Sequence, residues 1–189
     1  MSGIMVFIAV LALVAFAAIG IYNRIVGLNQ RANQAFSDVD VQLRQRHDLV
    51  PNLVEAVKGY ASHEKTTLDA VISARGAAAA AQSQGPAQQA AAEAMLSGAL
   101  GRLMAIAEAY PDLKANANFM ELQRQLADLE NKIAAARRFF NNAVQEFNTA
   151  IEQIPGNLIA PLGQFKSREF FETPAELRGA VEAPPVVKF

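Results

Sequence analysis

The sequence of 189 residues contains no cysteine and no tryptophan. The absence of cysteine excludes a disulfide scaffold, a thiolate zinc site and a cysteine nucleophile. An excess of basic charge is also missing, since 17 Lys and Arg stand against 18 Asp and Glu. This balance argues against a nucleic-acid partner, because neutralising phosphates requires a surplus of Lys and Arg. Only 19% of residues are charged and 52% are hydrophobic, so bulk disorder is excluded and the apolar excess needs an explanation.

The first 23 residues supply that explanation, because they carry no charged side chain. The nearly apolar run from Ile4 to Tyr22 would span about 28 Å as a helix, close to the roughly 30 Å of a bilayer core. A signal peptide cleaved near Ala17 is the competing interpretation, but no Lys or Arg precedes the run, which continues past that site. We therefore expect residues 1–23 to be an uncleaved anchor that contacts lipid through 4–22. Its main anchoring side chains are Ile4, Phe7, Leu11, Leu13, Phe16, Ile19 and Tyr22.

The charges beside this run predict its orientation. Arg24 and Arg31 follow it, whereas only the α-amino group precedes it. The positive-inside bias then places the N-terminus outside and the rest of the chain in the cytoplasm.

The remaining sequence has helical periodicity and predicts an all-α fold. We expect helices at about 24–48, 51–82, 86–109 and 118–154, joined by short loops into an antiparallel, up-and-down four-helix bundle over 24–155. Pro51 interrupts the first pattern, and the sequence leaves open whether the chain reverses or only kinks there. The tail from 156 to 189 is apolar but aperiodic, with one short helix expected from Thr173.

The strongest periodicity lies in the last predicted helix, which carries apolar residues at a heptad spacing. Such a pattern over about five heptads predicts a long seam buried against neighbouring helices. The predicted seam residues are Phe119, Leu122, Leu126, Leu129, Ile133, Phe140, Phe147 and Ile154.

Polar residues near both histidines form a candidate polar site, which consists of Asp40, Arg44, His47, Tyr60 and His63. The Glu-x-x-His motif of di-metal bundles is absent, so solvated or capping histidines are the simpler interpretation. Asp40, Arg44 and Asp48 follow an i, i+4, i+8 ladder that is typical of a helix surface. If buried beside Arg137 or Arg138, the same ladder would fix helix register. No phosphate-binding loop, nucleophile elbow or zinc-protease motif occurs, so we expect neither an enzyme nor a bound cofactor or metal.

Several blocks of the sequence resemble the LemA family. They are Tyr22–Val26, Asp38–Leu43, Arg46–Val54, Val57–Ala61, Glu108–Asn116, Glu130–Ile133 and the closing Pro-Pro-Val-Val-Lys-Phe. Phe140 and Phe147 depart from the pattern, since the family commonly has Tyr before these asparagines. The resemblance implies a single-span protein of the bacterial inner membrane with a cytoplasmic helical bundle and no established enzymatic activity. It also implies a reversal at Pro51 and relatives that have been tied to membrane remodelling, such as magnetosome formation.

Three functional hypotheses follow. The first is a membrane-anchored scaffold that self-associates or docks a protein partner through its bundle and apolar tail. The second is a sensory or ligand-binding bundle with a polar pocket near His47 and His63. The third, a metallo-hydrolase, requires bound metal.

Overall fold

The computed structural model describes residues 2–172, and this range contains helices, turns and irregular segments but no strand. The all-α class is therefore confirmed. The elements are α1 (Ser2–Lys58), α2 (Lys65–Ala81), α3 (Pro86–Glu108), α4 (Pro111–Lys114), α5 (Ala117–Glu152), α6 (Gly156–Ile159) and a 3₁₀ turn (Ala160–Gly163). The short helix predicted from Thr173 lies outside the described residues.

Helix α1 passes through Pro51 without a break and continues to Lys58. The predicted boundary between 48 and 51, and the reversal that the resemblance implied there, are therefore wrong. The chain turns instead within residues 59–64, after which α2 begins at Lys65. The amide N–H groups of Tyr60 and Ala61 donate to the carbonyl oxygen of Val57 at 3.0 and 2.8 Å and close the last turn of α1.

The continuity of α1 has a local cause. Pro51 has no N–H, so it cannot donate the helical hydrogen bond to the carbonyl of His47, four residues earlier. The side chain of Arg75 in α2 replaces that donor, since its Nε donates to the His47 carbonyl oxygen at 2.7 Å. A guanidinium from another helix thus satisfies the carbonyl that the proline leaves without its helical partner.

The described chain forms two compact units. The anchor unit comprises residues 2–37 and 138–169, and the core unit comprises residues 38–137 and 170–172. A large hydrophobic cluster in the core unit contains residues of α1, α2, α3, α4 and α5. Its most buried members include Leu53, Val57, Val71, Leu96, Leu103, Leu113 and Phe119.

The anchor unit has its own, smaller cluster. Ile25 in α1 and Phe147 and Ile151 in α5 are buried there together with Ala160 from the 3₁₀ turn. Phe165 packs on the same cluster, with its ring centroid 6.2 Å from that of Phe147. The segment after α5 therefore belongs to the folded structure of this unit.

Helix α5 carries the predicted heptad seam, and most of the seam is buried. Its start at Ala117 is fixed by Asn116, whose Oδ1 accepts the N–H groups of Asn118 and Phe119 at 2.9 and 3.1 Å. Phe119, Leu126, Ile133, Phe140 and Phe147 are buried, and Leu122 and Leu129 are half-buried.

Ile154 is the wrong member of the predicted seam, because it is 81% exposed. Helix α5 ends at Glu152, before this residue. Gly156 then lies against the helix end so closely that a Cβ atom there would be 1.9 Å from the carbonyl oxygen of Ala150. The predicted heptad pattern therefore includes a residue beyond the end of the helix. The turn that follows permits only glycine at position 156.

Candidate functional site

The apolar start of α1 is exposed along its length. The predicted anchor residues range from 39% exposed at Tyr22 to 80% at Phe16. Within residues 2–172, two helices, α1 and α3, are long and apolar enough to cross a membrane. Helix α3 buries Leu96, Leu100 and Leu103 in the core unit, whereas the most apolar window of α1 buries none of its surface. The exposed segment of α1 is therefore the stronger candidate for contact with lipid.

A second unusual feature is a buried group of charged residues in the core unit. We call it the Arg46 cluster, and it consists of Arg46, His47, Glu93, Ser97 and Glu130. Arg46 is 1% exposed, although an arginine is almost never fully buried unless it is paired. Helix α1 supplies Arg46 and His47, α3 supplies Glu93 and Ser97, and α5 supplies Glu130.

The guanidinium of Arg46 bonds to both neighbouring helices. Its Nη1 donates to Ser97 Oγ at 2.9 Å and to Glu130 Oε1 at 2.6 Å. Its Nη2 donates to Glu93 Oε2 and forms a buried ion pair with that carboxylate. One side chain of α1 therefore fixes the positions of α3 and α5 at a single level.

Glu93 is held from two sides, because its other oxygen, Oε1, lies 2.8 Å from His47 Nε2. Burial raises the pKa of Glu93, but the hydrogen bond from His47 and the charge of Arg46 outweigh it and lower that pKa below its ordinary value of 4.5. Glu93 is consequently a buried carboxylate that remains ionised.

Two further pairs surround the Arg46 cluster. Burial, together with the charge of Arg46, lowers the pKa of Arg137, whose guanidinium carbon lies 5.0 Å from the ring centroid of Phe171. Gln89 is buried and donates through Nε2 to Asp40 Oδ1 at 2.8 Å. This arrangement satisfies charges inside an apolar core, and within residues 2–172 no group of three His, Asp or Glu side chains could hold a metal ion.

The five residues of the predicted polar site occupy different environments. His47 is buried and Asp40 is half-buried, whereas Arg44, Tyr60 and His63 are exposed. Asp40 bonds to Gln89 and His47 to Glu93. Asn116 Nδ2 donates to Tyr60 Oη at 2.9 Å. These residues therefore make separate contacts and do not form one polar site.

Sequence reasoning missed Arg46 and Glu93, the centre of the buried group. Arg46 was hidden in a charged stretch that is typical of a helix surface. Glu93 did carry a signal, since it is the only acidic residue between Asp69 and Glu108 and lies in an alanine-rich helix. A lone carboxylate among small apolar residues indicates a partner elsewhere in the core.

Comparison with known proteins decides the family. The family model described as the LemA family matches residues 35–189, which include the whole Arg46 cluster. The chain belongs to the LemA family. The resemblance seen in the sequence blocks is therefore confirmed.

This LemA-family chain is also similar to three proteins named as magnetosome proteins. Magnetosome protein MamQ of Magnetospirillum gryphiswaldense is 30% identical, over 91% of this chain and 73% of the relative. Magnetosome proteins MamQ 1 and MamQ 2 of Paramagnetospirillum magneticum are each 28% identical, over 87% of this chain and 70% of the relative. The family and these relatives support a membrane-associated helical protein.

Proposed function

We propose that this protein is a membrane-anchored helical scaffold without enzymatic activity. Residues 4–22 cross the bacterial cytoplasmic membrane once, with the N-terminus outside, and the helices that follow pack in the cytoplasm as an antiparallel bundle. The chain self-associates, and its role is to organise or remodel the membrane. The observation that carries this proposal is the exposed, uncharged start of α1, of which the most apolar window buries nothing within the protein.

The energetic argument is that water is a poor solvent for this segment. Eleven large apolar side chains between Ile4 and Ile19 are more than half exposed. Full burial of one such side chain is worth about 1.5–3 kcal/mol, so transfer of the segment to lipid is favourable by on the order of 10 kcal/mol or more. Nineteen residues also match the thickness of the hydrocarbon core. A bilayer is therefore the environment that the segment fits best.

The scaffold role is supported by the core unit and by the relatives. The charges of the Arg46 cluster are bonded to one another across three helices, which suits a rigid support. The MamQ relatives are named magnetosome proteins, and we extend to this chain the tie to membrane remodelling that the family resemblance implies. Self-association would place several anchors side by side in one membrane.

The orientation can be tested by labelling, because the sequence has no cysteine. Single cysteines are placed by Ser2→Cys and by Ile72→Cys, an exposed position in α2. A membrane-impermeant maleimide added to intact spheroplasts should label residue 2 at once and residue 72 only after permeabilisation. Labelling of residue 72 in intact cells would reverse the assignment, and recovery of unanchored protein cleaved near Ala17 would refute the anchor.

Self-association is tested separately on the intact protein in nanodiscs. We expect the measured mass to correspond to more than one copy at low loading, after the scaffold and lipid contributions are subtracted. A single copy at every loading would refute self-association and leave the anchor untouched.

A further inference from the structure

The segment that follows α5 has an apolar face that nothing in its unit covers. Ile154, Leu158 and Leu162 are 81%, 69% and 77% exposed. They are spaced four residues apart, with Ile154 between α5 and α6, Leu158 in α6 and Leu162 in the 3₁₀ turn. We call residues 153–165 the wedge loop, and these three side chains are its apolar face. Full exposure of three such residues within nine positions is uncommon at a surface that meets only water.

The other side of the wedge loop is fixed to the anchor unit. Ile159, Ala160 and Phe165 pack on the cluster built around Ile25 of α1. Gly156 is buried against the end of α5, so the loop begins in a position that a larger residue would not permit. Its apolar face is therefore held in place by a packed base.

The wedge loop lies beside Tyr22, the last residue of the apolar run. The ring centroids of Tyr22 and Phe165 are 5.7 Å apart. A Cβ atom on Gly163 would come within 2.9 Å of the Tyr22 ring, so the loop backbone passes directly over it. Aromatic side chains with a polar tip prefer the boundary between lipid and water. If Tyr22 lies at that boundary, the wedge loop lies there too.

A groove next to the loop points to the same surroundings. It has a volume of about 340 Å³ and is lined by Ile21, Ile25 and Leu28 of α1 and by Ile154 and Pro155 of the loop. Arg24 also lines it and is exposed. The other side of the groove is polar, with Gln145, Glu146 and Thr149 of α5 and Gln153 just after it, so its apolar walls are those of α1 and the wedge loop.

We propose that the wedge loop is a second membrane-contact element, whose apolar face enters the headgroup and acyl boundary of the bilayer that α1 crosses. The proposal rests on the span proposed above, because that span sets the level of Tyr22. We choose the bilayer as the occupant because the wedge loop lies against Tyr22, the last residue of the exposed apolar segment of α1. An interfacial element of this kind lies in the membrane plane and buries only its apolar face.

The test uses the full chain in vesicles of phosphatidylethanolamine with a minority of phosphatidylglycerol. A single cysteine is introduced by Leu158→Cys or Leu162→Cys and labelled with an environment-sensitive fluorophore. Leu13→Cys serves as the control within the span and Ile72→Cys as an exposed apolar control on α2. The vesicles contain lipid with a nitroxide quencher at either a shallow or a deep position of the acyl chain.

We expect the shallow quencher to reduce the emission from residues 158 and 162, the deep quencher to reduce that from residue 13, and neither to affect residue 72. Quenching at residue 13 but not at residue 158 or 162 would refute membrane contact by the wedge loop and would still support the span. Quenching at 158 and 162 without 13 would support the wedge loop and refute the span. A blue-shifted label at 158 that lipid quenchers do not reach would show that a second copy covers the face, which also overturns the proposal.

Discussion

The two units of this LemA-family protein each depart from the usual placement of polar and apolar groups, and they do so differently. The core unit buries charge, with Arg46 and Glu93 paired inside an apolar cluster. The anchor unit exposes apolar side chains, from Ile4 in the span to Leu162 in the wedge loop. Buried charge that is paired across helices favours a single helix register. Exposed apolar surface indicates that a second solvent or partner completes the structure.

Among the substitutions that test this comparison, Arg46→Met should change the free energy of unfolding most. It removes the cation that pairs with Glu93 and Glu130 and leaves a buried carboxylate without its charge partner. We expect the free energy of unfolding to fall by about 3–5 kcal/mol. Denaturant unfolding followed by circular dichroism in detergent measures the loss. Arg44→Met, two residues earlier on the exposed side of α1, should cost less than about 0.5 kcal/mol. Equal losses in the two variants would contradict the buried ion pair.

Glu93→Gln should be less costly than Arg46→Met and should depend on pH. The folded-state pKa of Glu93 is lowered from 4.5, so its carboxylate stabilises the fold above about pH 4.5 and this contribution is lost as the pH falls through the lowered value. The stability difference between the natural protein and Glu93→Gln should therefore be largest near neutral pH and shrink in acid. Glu55→Gln, at an exposed position, provides the control. A difference that stays constant down to strongly acid pH would contradict this account.

A third substitution acts on the anchor unit alone. Gly156→Ala places a Cβ atom 1.9 Å from the Ala150 carbonyl oxygen, so the wedge loop must move. We expect a loss of about 1–3 kcal/mol together with a change in the emission of a label at residue 158. Gly27→Ala is the matched control, since no atom lies within 4 Å of the added Cβ and alanine is favoured in helices by about 1 kcal/mol. Unchanged stability and emission in Gly156→Ala would show that the close packing is absent.

The smallest effect concerns the carbonyl beside Pro51. Arg75→Met removes the donor to the His47 carbonyl and should cost about 1–2 kcal/mol. Pro51→Ala restores the helical N–H, so Arg75→Met should cost less in that background. A double-mutant cycle on denaturant unfolding measures this coupling. Additive losses would mean that Arg75 does not replace the missing helical donor.

The sequence predicted the features that repeat locally. The heptad seam is buried at Phe119, Ile133, Phe140 and Phe147 because each obeys the helical period over a long segment. The uncharged run at the start of α1 was equally visible and lies exposed. Local periodicity therefore located the helices and the segment expected to contact lipid.

Two of the three errors involve a contact with a distant part of the chain, and the third involves a local turn. A break was expected near Pro51 because the donor to the His47 carbonyl, Arg75, lies in another helix. Ile154 was assigned to the seam because the heptad count does not register the turn at Pro155 and Gly156. Arg46 and Glu93, which pair with each other, are also far apart in the sequence. The only sequence signal for this pair is that Glu93 is an isolated acidic residue in a helix of small residues.

The hydrogen bonds from Arg46 to Glu93 and Glu130 should restrict which residues occur at these three positions in other members of the family. Loss of Arg46 leaves the buried Glu93 carboxylate without its charge partner, and loss of either acid leaves Arg46 with one partner fewer. Single changes should therefore be rare and compensated ones tolerated. Where a relative replaces the arginine by an aliphatic residue, we expect the two acidic positions to be neutral as well. Aligned relatives should therefore show positions 46, 93 and 130 changing as a set, while the neighbouring exposed position 44 varies independently.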